Sequence, residues 1–518
     1  MILDTQDNPE REPLVLPRNE IGHQAILLNI VMALAYFFVI AFLFPVDSRI
    51  LFAILILGEL FHLWQIFTYL HTLWRKERPH AFNPEFQPGV DVFITVAGEP
   101  EEVIEETVRA ATGMQYPNFT VHILNDGLVA GKANWREPRQ VAKKYGVDCI
   151  TRTMPGGAKA GNINHALAET HEPFAAVFDV DHAPHYDFLT KMMGYFIDPK
   201  VGFTQSPQYY RNHWMSGITG GAWEQQELFF GAICRGKDTM NAAFMCGTNM
   251  VIRRSALLEA GGMHETSITE DFLTSLFIHA RGWKSVYVPE VLAEGLAPED
   301  FRSYYSQQSR WARGSLEMVF RYNPLFKKGL TFSQRIQYLA SSSYYLSGAV
   351  VFVNALFPLI FFYTGLEPFR ASTMALATIF LPYIFLVIYT LQKSTNFSYT
   401  FRALGLSMSA FPIQMKAFVQ ILSGKKAKFV VTSKRKLSGN FAHLAAPHIL
   451  YVAAAMIGMS YAVWHQGFTA SVVDNIAWAL FNIAAFTPFI MAALPAARPS
   501  RAIEPATAIQ PAEKQAIS

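Results

Sequence analysis

Two apolar runs near the N-terminus, residues 23–45 and 50–72, stand apart from a second group of apolar runs beyond residue 338, and this spacing constrains the chain more than any motif in it. Each run is long enough to cross a bilayer at ~1.5 Å rise per residue. The short link Val46-Asp47-Ser48-Arg49 makes the first two a hairpin. Trp74-Arg75-Lys76-Glu77-Arg78 follows, and the bias of basic residues toward the inner side predicts a cytosolic location for what comes next. Further apolar runs at about 338–363, 372–392, 448–466 and 471–495 bring the expected number of spans to six. Lysines at 425, 426, 428, 434 and 436, with Arg435, and then Arg498 and Arg501 place both termini and the long insert on one side.

Residues 401–423 are apolar but interrupted by Arg402, Pro412, Gln414 and Lys416, which predicts a helix lying in the interface. A seventh span there would carry the lysine run across the membrane. The polar, acidic first 22 residues lack the basic start of a cleaved signal, so the first run is expected to stay as an anchor. The Ala- and Pro-rich stretch 496–518 reads as a disordered tail.

A net charge of +3 over 518 residues gives no argument for a nucleic-acid partner. Cys149, Cys234 and Cys246 have no spacing suited to zinc or a disulfide framework and read as reduced thiols. From Asp91 the pattern becomes short β-branched runs at 91–96, 120–124, 147–152 and 174–179, alternating with helical stretches at 101–112, 135–145, 159–169 and 185–197. That alternation predicts βα units on a mainly parallel sheet, whose ligands sit at the carboxyl ends of the strands.

The chemistry-bearing residues fall at such ends. Asp179-Val180-Asp181 follows an apolar strand, so two carboxylates project at alternate positions where a divalent cation, Mg²⁺ or Mn²⁺, could bridge them to a diphosphate. Asn125-Asp126-Gly127 also ends a strand; Asp126 could accept from a nucleotide base or ribose, an ordinary turn being the alternative. Lys159-Ala160-Gly161-Asn162 opens a helix whose N–H groups and lysine could meet phosphate or uracil oxygens. Phe244-Met245-Cys246-Gly247-Thr248-Asn249 precedes a strand-like run, and its small residues would let an acceptor approach the backbone. Cys246 has no histidine in a fixed role nearby and is read as a binding-site residue rather than a nucleophile.

Thr269-Glu270-Asp271 and Gln307-Gln308-Ser309-Arg310-Trp311 complete the set. Moving a sugar from a nucleotide carrier to a hydroxyl needs a base, cations for the departing diphosphate and a flat surface for a sugar ring. A carboxylate, Arg310 and Trp311 could supply these. Either motif alone is equally a helix start or a packing element.

Taken in order, these motifs resemble the membrane-embedded processive family 2 glycosyltransferases typified by the catalytic subunit of bacterial cellulose synthase. The matches are Asp126-Gly127, Lys159 to Asn162, Asp179-x-Asp181, Phe244-x-Cys246-Gly247, Thr269-Glu270-Asp271 and Gln307-x-x-Arg310-Trp311, with Phe429-x-Val431-Thr432-x-Lys434 similar to that family's gating loop. The resemblance covers roughly residues 89–440. Asn241 to Phe244, Arg281 to Ser285 and Gly295 to Glu299 are also similar to cellulose synthase, which favours a β-glucan synthase over hyaluronan or chitin synthases.

The resemblance implies a Rossmann-like glycosyltransferase-A α/β domain at 87–318, cytosolic, inserted between a transmembrane hairpin at 23–72 and a membrane region at 319–495 with interface helices and a gating loop at 429–434. It implies Asp271 as base beside Glu270 and Thr269, with Asp179 and Asp181 on Mg²⁺ or Mn²⁺. Substrate contacts would come from Asp126, Lys159, Asn162, Cys246, Gly247, Gln307, Arg310, Trp311, Phe429, Thr432 and Lys434. The implied partners are UDP-glucose or a related UDP-sugar, a growing polysaccharide and membrane lipid. The expected location is a bacterial inner membrane, with room for periplasmic or export subunits.

The departures are specific. The family's Asp-Asp-Gly reads Asn125-Asp126-Gly127, and an acceptor-side Thr-Pro-His-Phe-Phe reads Ser206-Pro207-Gln208-Tyr209-Tyr210. Only two spans precede the insert, and control by cyclic-di-GMP is not implied. A non-processive transferase acting on a lipid carrier, or a synthase of a β-1,3, mixed-linkage or N-acetylglucosamine polymer, fits the same motifs.

Overall fold

The computed structural model describes residues 14–16, 20–75, 77–424 and 439–495. Helix α1 (His23–Phe42) and helix α2 (Arg49–Trp74) form the first hairpin. The chain then enters an α/β domain. In chain order this holds strand β1 (Val90–Val96), α3 (Glu101–Thr112), β2 (Phe119–Asn125), α4 (Glu137–Tyr145), β3 (Asp148–Thr151), α5 (Ala158–Glu169) and β4 (Phe174–Asp179). There follow β5 (Ala183–Pro184), α6 (Phe188–Met193), β6 (Val201–Gln205), β7 (Tyr209–Tyr210), α7 (Gly217–Glu227), α8 (Cys234–Thr239), β8 (Met250–Arg253), α9 (Arg254–Glu259), α10 (Glu270–Ala280), β9 (Lys284–Tyr287), β10 (Ala293–Gly295) and α11 (Phe301–Glu317).

The seven-stranded sheet runs β3-β2-β1-β4-β8-β6-β9. Strands β1 to β4 are parallel, as the alternation of patterns predicts, but β8 runs antiparallel to both β4 and β6. The sheet is therefore mixed, because hydrophobic periodicity reports a strand and not its direction. Thr95 is opposite Asp179, and Val96 is opposite Asn125, which in turn is opposite Thr151. That register brings the carboxyl ends of four strands to one edge.

One face of the sheet buries Val92, Ile94, Val121, Ile123 and Phe178 with α3, α4 and α6, while the other buries Phe93, Val177, Phe203 and Ile252 with α5, α9 and α10. Each such side chain contributes roughly 1.5–3 kcal/mol by leaving water. The helix expected over 185–197 is shorter: α6 ends at Met193 and a 3₁₀ turn (Gly194–Ile197) completes it.

Beyond α11 lie α12 (Phe332–Ser343), α13 (Ser347–Thr364), α14 (Thr373–Ser394), α15 (Phe401–Ser409), α16 (Phe411–Leu422), α17 (Ala446–Gln466) and α18 (Ala470–Ala493). Among the described residues, six helical stretches are long and apolar enough to cross a membrane: α1, α2, α12 continued through α13, α14, α17 and α18. They cluster in two groups. Ala33, Tyr36, Leu63, Ile66 and Tyr383 pack α1, α2 and α14 together, while Ala355, Phe362, Phe411, Ala455, Ala479 and Phe486 join α13, α16, α17 and α18.

Residues 401–423 are two helices rather than one, broken at Ala410 just ahead of Pro412. They pack inward. Arg402 and Thr400 hold the buried carboxylate of Glu224 on α7, with Arg402 Nε donating at 3.0 Å and Thr400 Oγ1 at 2.6 Å, which ties the α/β domain to the membrane helices. At the far end of the spans, the link after α1 meets the link after α13. Val46 and Phe369 form an antiparallel bridge, Phe44 stacks on Phe369, Arg370 pairs with Asp47 at 2.5 Å, and Ser471 of α18 donates to Glu367 at 3.0 Å.

Candidate functional site

Strand β4 ends in Asp179-Val180-Asp181-His182. Val180 is buried in the core, so Asp179 and Asp181 project away from it, as the alternation of a strand requires. Asp179 is fixed from three directions: its N–H donates to Thr248 Oγ1 at 3.0 Å, and its carboxylate accepts from Thr95 Oγ1 at 3.3 Å and from Lys159 Nζ at 2.5 Å. Burial would raise this carboxyl, but the Lys159 ammonium holds it below its ordinary value.

Asp181 and His182 are almost wholly enclosed, and His182 lies against Gly295 of β10. Asp179, Asp181 and His182 each offer a ligand atom, all within 4.8 Å of one another. Neither ring nitrogen of His182 has a hydrogen-bond partner among the described residues, an expensive arrangement for a buried imidazole unless something else binds it. Two carboxylates and an orphaned imidazole fit a hard to borderline divalent cation such as Mg²⁺ or Mn²⁺.

Lys159 stands in the first turn of α5 and also donates to the Gly247 carbonyl at 2.5 Å, so it links β4 to the loop before β8. That loop is clamped along its length. Cys246 N–H donates to Gln205 Oε1 at 2.8 Å, the Cys246 carbonyl accepts from Gln208 Nε2 at 2.6 Å, and Met245 N–H donates to Ser275 of α10 at 2.8 Å. Burial drives the Cys246 thiol far above its ordinary range, which suits a packing and contact role and not a nucleophile. Gly247 has φ +86°, and a Cβ there would lie 3.1 Å from Asp271 Oδ2. The backbone at Gly247 thus comes directly over the Asp271 carboxylate.

Helix α10 starts at Glu270, with Thr269 as its N-cap residue. The Phe272 N–H donates to Asp271 Oδ1 at 2.7 Å and leaves Oδ2 facing Gly247. Burial, with weaker repulsion from Asp179, pushes Asp271 up to about 6 despite that hydrogen bond and the Lys159 charge. Glu270, deeper and beside Asp271, is pushed up to about 7 by burial first and by Asp271 second. A carboxylate with a pKa just under neutrality is a competent base at pH 7.

Helix α11 carries Gln307, Arg310 and Trp311 on the turns above Gly314. A Cβ at Gly314 would fall 2.4 Å from Thr269 Oγ1, so the glycine is what allows α11 to touch the start of α10. Gln307 bonds to the Tyr210 hydroxyl, itself close enough to Asp181 to feel its charge. The motif residues 269–271 and 307–311, distant in sequence, are therefore joined along one helix contact.

Asp126 sits two strands away from Asp179 on the same edge, buried. Both of its oxygens are held by Arg152, at 2.9 Å from Nε and 2.6 Å from Nη2. Two oxygens carry about four acceptor directions, so the pair leaves capacity for a nucleoside donor. Asn125 shapes the turn, accepting from Gly127 N–H at 2.9 Å and donating to Trp135 O at 2.8 Å. Asn162 donates to Leu124 O at 2.9 Å and supports β2 from α5. Arg152 and Gln205 had no separate signal in sequence, and Gln208 and Tyr210 stood out only within the acceptor-side motif 206–210; all four act through partners far along the chain. Phe429, Thr432 and Lys434 lie outside the described residues.

Residues 88–314 match the family described as "Glycosyltransferase like family 2", and residues 259–460 match "Cellulose synthase". The chain is 33% identical over 442 residues to the cellulose synthase catalytic subunit (UDP-forming) of Pseudomonas fluorescens (strain SBW25), an alignment covering 81% of this chain and 58% of that one. It is 31% identical over 464 residues to the subunit of the same description from Komagataeibacter sucrofermentans, covering 84% and 60%. The chain thus spans less than two thirds of the length of these relatives. Among solved structures, the mannosyltransferase from Pyrobaculum calidifontis in complex with GDP-Man and Mn²⁺ shares the fold with a TM-score of 0.53 at 17% identity, covering 72% of this chain and 99% of that one.

Proposed function

Because the chain belongs to the cellulose synthase-like family 2 glycosyltransferases, with a glycosyltransferase-A-like domain set among six membrane spans, we propose that it extends a β-glucan with glucose from UDP-glucose, processively and with inversion, and passes the product across the membrane. The observation that carries this reading is the Asp271 carboxylate. It has a pKa near 6, lies under Gly247 and within the field of Lys159, and joins the cation-ligand cluster to the helix bearing Gln307 and Arg310.

In this reading Asp271 takes the proton of the acceptor hydroxyl as that oxygen attacks C1 of the donor sugar. The bond from C1 to the diphosphate breaks on the opposite face, and the electron pair leaves with UDP. Lys159 holds Asp179 in place, and Thr269 and Glu270 set the N-terminus of α10. Asp179, Asp181 and His182 would hold Mg²⁺ or Mn²⁺, which when bound offsets the charge of the diphosphate. Arg310 and Gln307 would add donors to the departing diphosphate, and Trp311 a flat surface for the acceptor ring. Asp126, held by Arg152, would meet the nucleoside, while Asn162, Cys246 and Gly247 shape the pocket.

The catalytic domain and both termini would face the cytoplasm of a bacterial inner membrane, with Phe429, Thr432 and Lys434 as a lid over the donor. The polymer would move between the spans, since a hydrated glucan does not cross lipid unaided. Purified protein in lipid, fed labelled UDP-glucose, should yield a solvent-insoluble polymer, and linkage analysis then names its bond. A lipid-soluble single-sugar product, or no turnover of UDP-glucose, would overturn the reading.

A further inference from the structure

The C-terminal ends of α10 and α11 meet on the side of the domain opposite the carboxylates, where they frame a cavity of about 700 Å³. Phe277, Ala280 and Arg281 line it from α10, Arg321 and Tyr322 from the turn after α11, and Phe326, Lys327, Lys328 and Gly329 from the loop before α12. Four of these side chains are cations. Arg321 pairs with Glu317 at 2.7 Å, but among the described residues Arg281, Lys327 and Lys328 make no ion pair. Two helix C-termini would account for one or two nearby positive charges through their dipoles. They do not account for Lys327, whose ammonium sits 3.4 Å from the centre of the Phe277 ring and is held below its ordinary pKa by burial and by repulsion from Arg281.

Two large apolar side chains are exposed here, one lining the cavity and one at the start of the helix that follows. Phe326 and Phe332, which bracket the lysine loop, are 80% and 78% accessible. Phe332 opens α12, the helix that continues into a span. Five residues further on, Gln337 Nε2 lies 3.4 Å from His71 Nδ1, three residues before α2 ends at Trp74. At ~1.5 Å per helical residue Phe332 is therefore within roughly 10 Å of the end of the apolar span, the depth of the headgroup layer. Aromatic side chains beside unpaired lysines at that depth are the equipment of a surface that meets anionic lipid.

We propose that this cavity binds the phosphate of an anionic lipid headgroup. Arg281, Lys327 and Lys328 supply the charge, and Phe326 and Phe332 enter the acyl boundary beside it. A lipid held there would bridge the ends of the two helices whose other turns carry Asp271 and Arg310.

The test is hydrogen exchange of the 318–330 backbone in the full-length protein embedded in nanodiscs. One arm compares discs of phosphatidylcholine with discs containing phosphatidylglycerol; the other adds inorganic pyrophosphate to phosphatidylcholine discs. Protection of 318–330 by phosphatidylglycerol is expected, reduced about tenfold in Lys327→Ala/Lys328→Ala. It should be retained in Lys327→Arg/Lys328→Arg and in the equally charge-depleted Lys143→Ala/Lys200→Ala. Protection by pyrophosphate alone would overturn the lipid assignment and make the site one for a soluble phosphate. No protection in either arm, or an equal loss in the Lys143/Lys200 variant, would overturn the site itself.

Discussion

Replacing Asp271 by Asn should make the protein more stable and less active together. Burial carries this carboxyl from 3.8 to about 6, against the pull of the Phe272 N–H and the Lys159 charge. Keeping it ionised at neutral pH then costs roughly 3 kcal/mol, at 1.36 kcal/mol per pKa unit. Glu270 beside it is pushed up to about 7 by burial and by Asp271, so the two carboxyls titrate as a pair and that cost is theirs jointly. The folded protein binds this proton more tightly than the unfolded chain does. The group's stabilising effect is therefore fully present below about pH 4 and lost as pH rises through about 6. The amide has no charge to keep. In detergent, with chelator and without donor sugar, the apparent Tm of Asp271→Asn should exceed that of the wild type at pH 8, and the gap should close toward pH 4. Turnover on the same preparation should fall by ~10²–10⁴-fold, the usual loss for a general base. A variant less stable at pH 8, or a gap that does not change with pH, would refute the burial argument. A variant retaining more than about a tenth of the rate would show that Asp271 is not the base.

Other consequences can be measured directly. Asp181→Ala should abolish the effect of chelator on UDP affinity, and His182→Ala should weaken Mn²⁺ binding; a wild type that binds UDP equally with and without chelator would remove the metal from the scheme. Gly314→Ala should lower turnover with the fold retained, because the new methyl lies where Thr269 stands and must push α11 away from α10; circular dichroism with an unchanged rate would contradict the contact. Arg152→Ala leaves Asp126 buried without its partner and should destabilise the protein by about 3 kcal/mol, read as a lowered denaturation midpoint.

What the sequence discloses here depends on how local the cause is. The spans are legible because twenty apolar residues in a row have few alternatives, and Asp179 and Asp181 are legible because strand ends are where such sheets expose carboxylates. Arg152 is not, since its role is set by Asp126, twenty-six residues earlier, and nothing beside it announces a buried pair. The same holds for Gln205, whose role shows only in the amide that clamps the loop at Cys246. His182 follows the carboxylates directly in sequence, but its lack of hydrogen-bond partners among the described residues is a property of packing. Residues 401–423 have the composition of an interface helix, but the tie of Arg402 to Glu224 is a tertiary contact with no local signal.

The bridge between Val46 and Phe369 bears on how the membrane region can move. The link after α1 is sewn there to the link after α13, and Ser471 of α18 is stitched to the same loop through Glu367. Such a seam holds the two helix groups together at that end, a pivot about which any relative motion of the groups would turn. In the proposed reading, a polymer passing between the two groups would leave lengthwise past that seam. Residues facing each other across an antiparallel bridge stand about 4.5–5.5 Å apart, within the span of a disulfide. A Val46→Cys/Phe369→Cys crosslink should accordingly be silent in a polymer-length assay, and shortened chains on oxidation would mean that the pivot itself has to part.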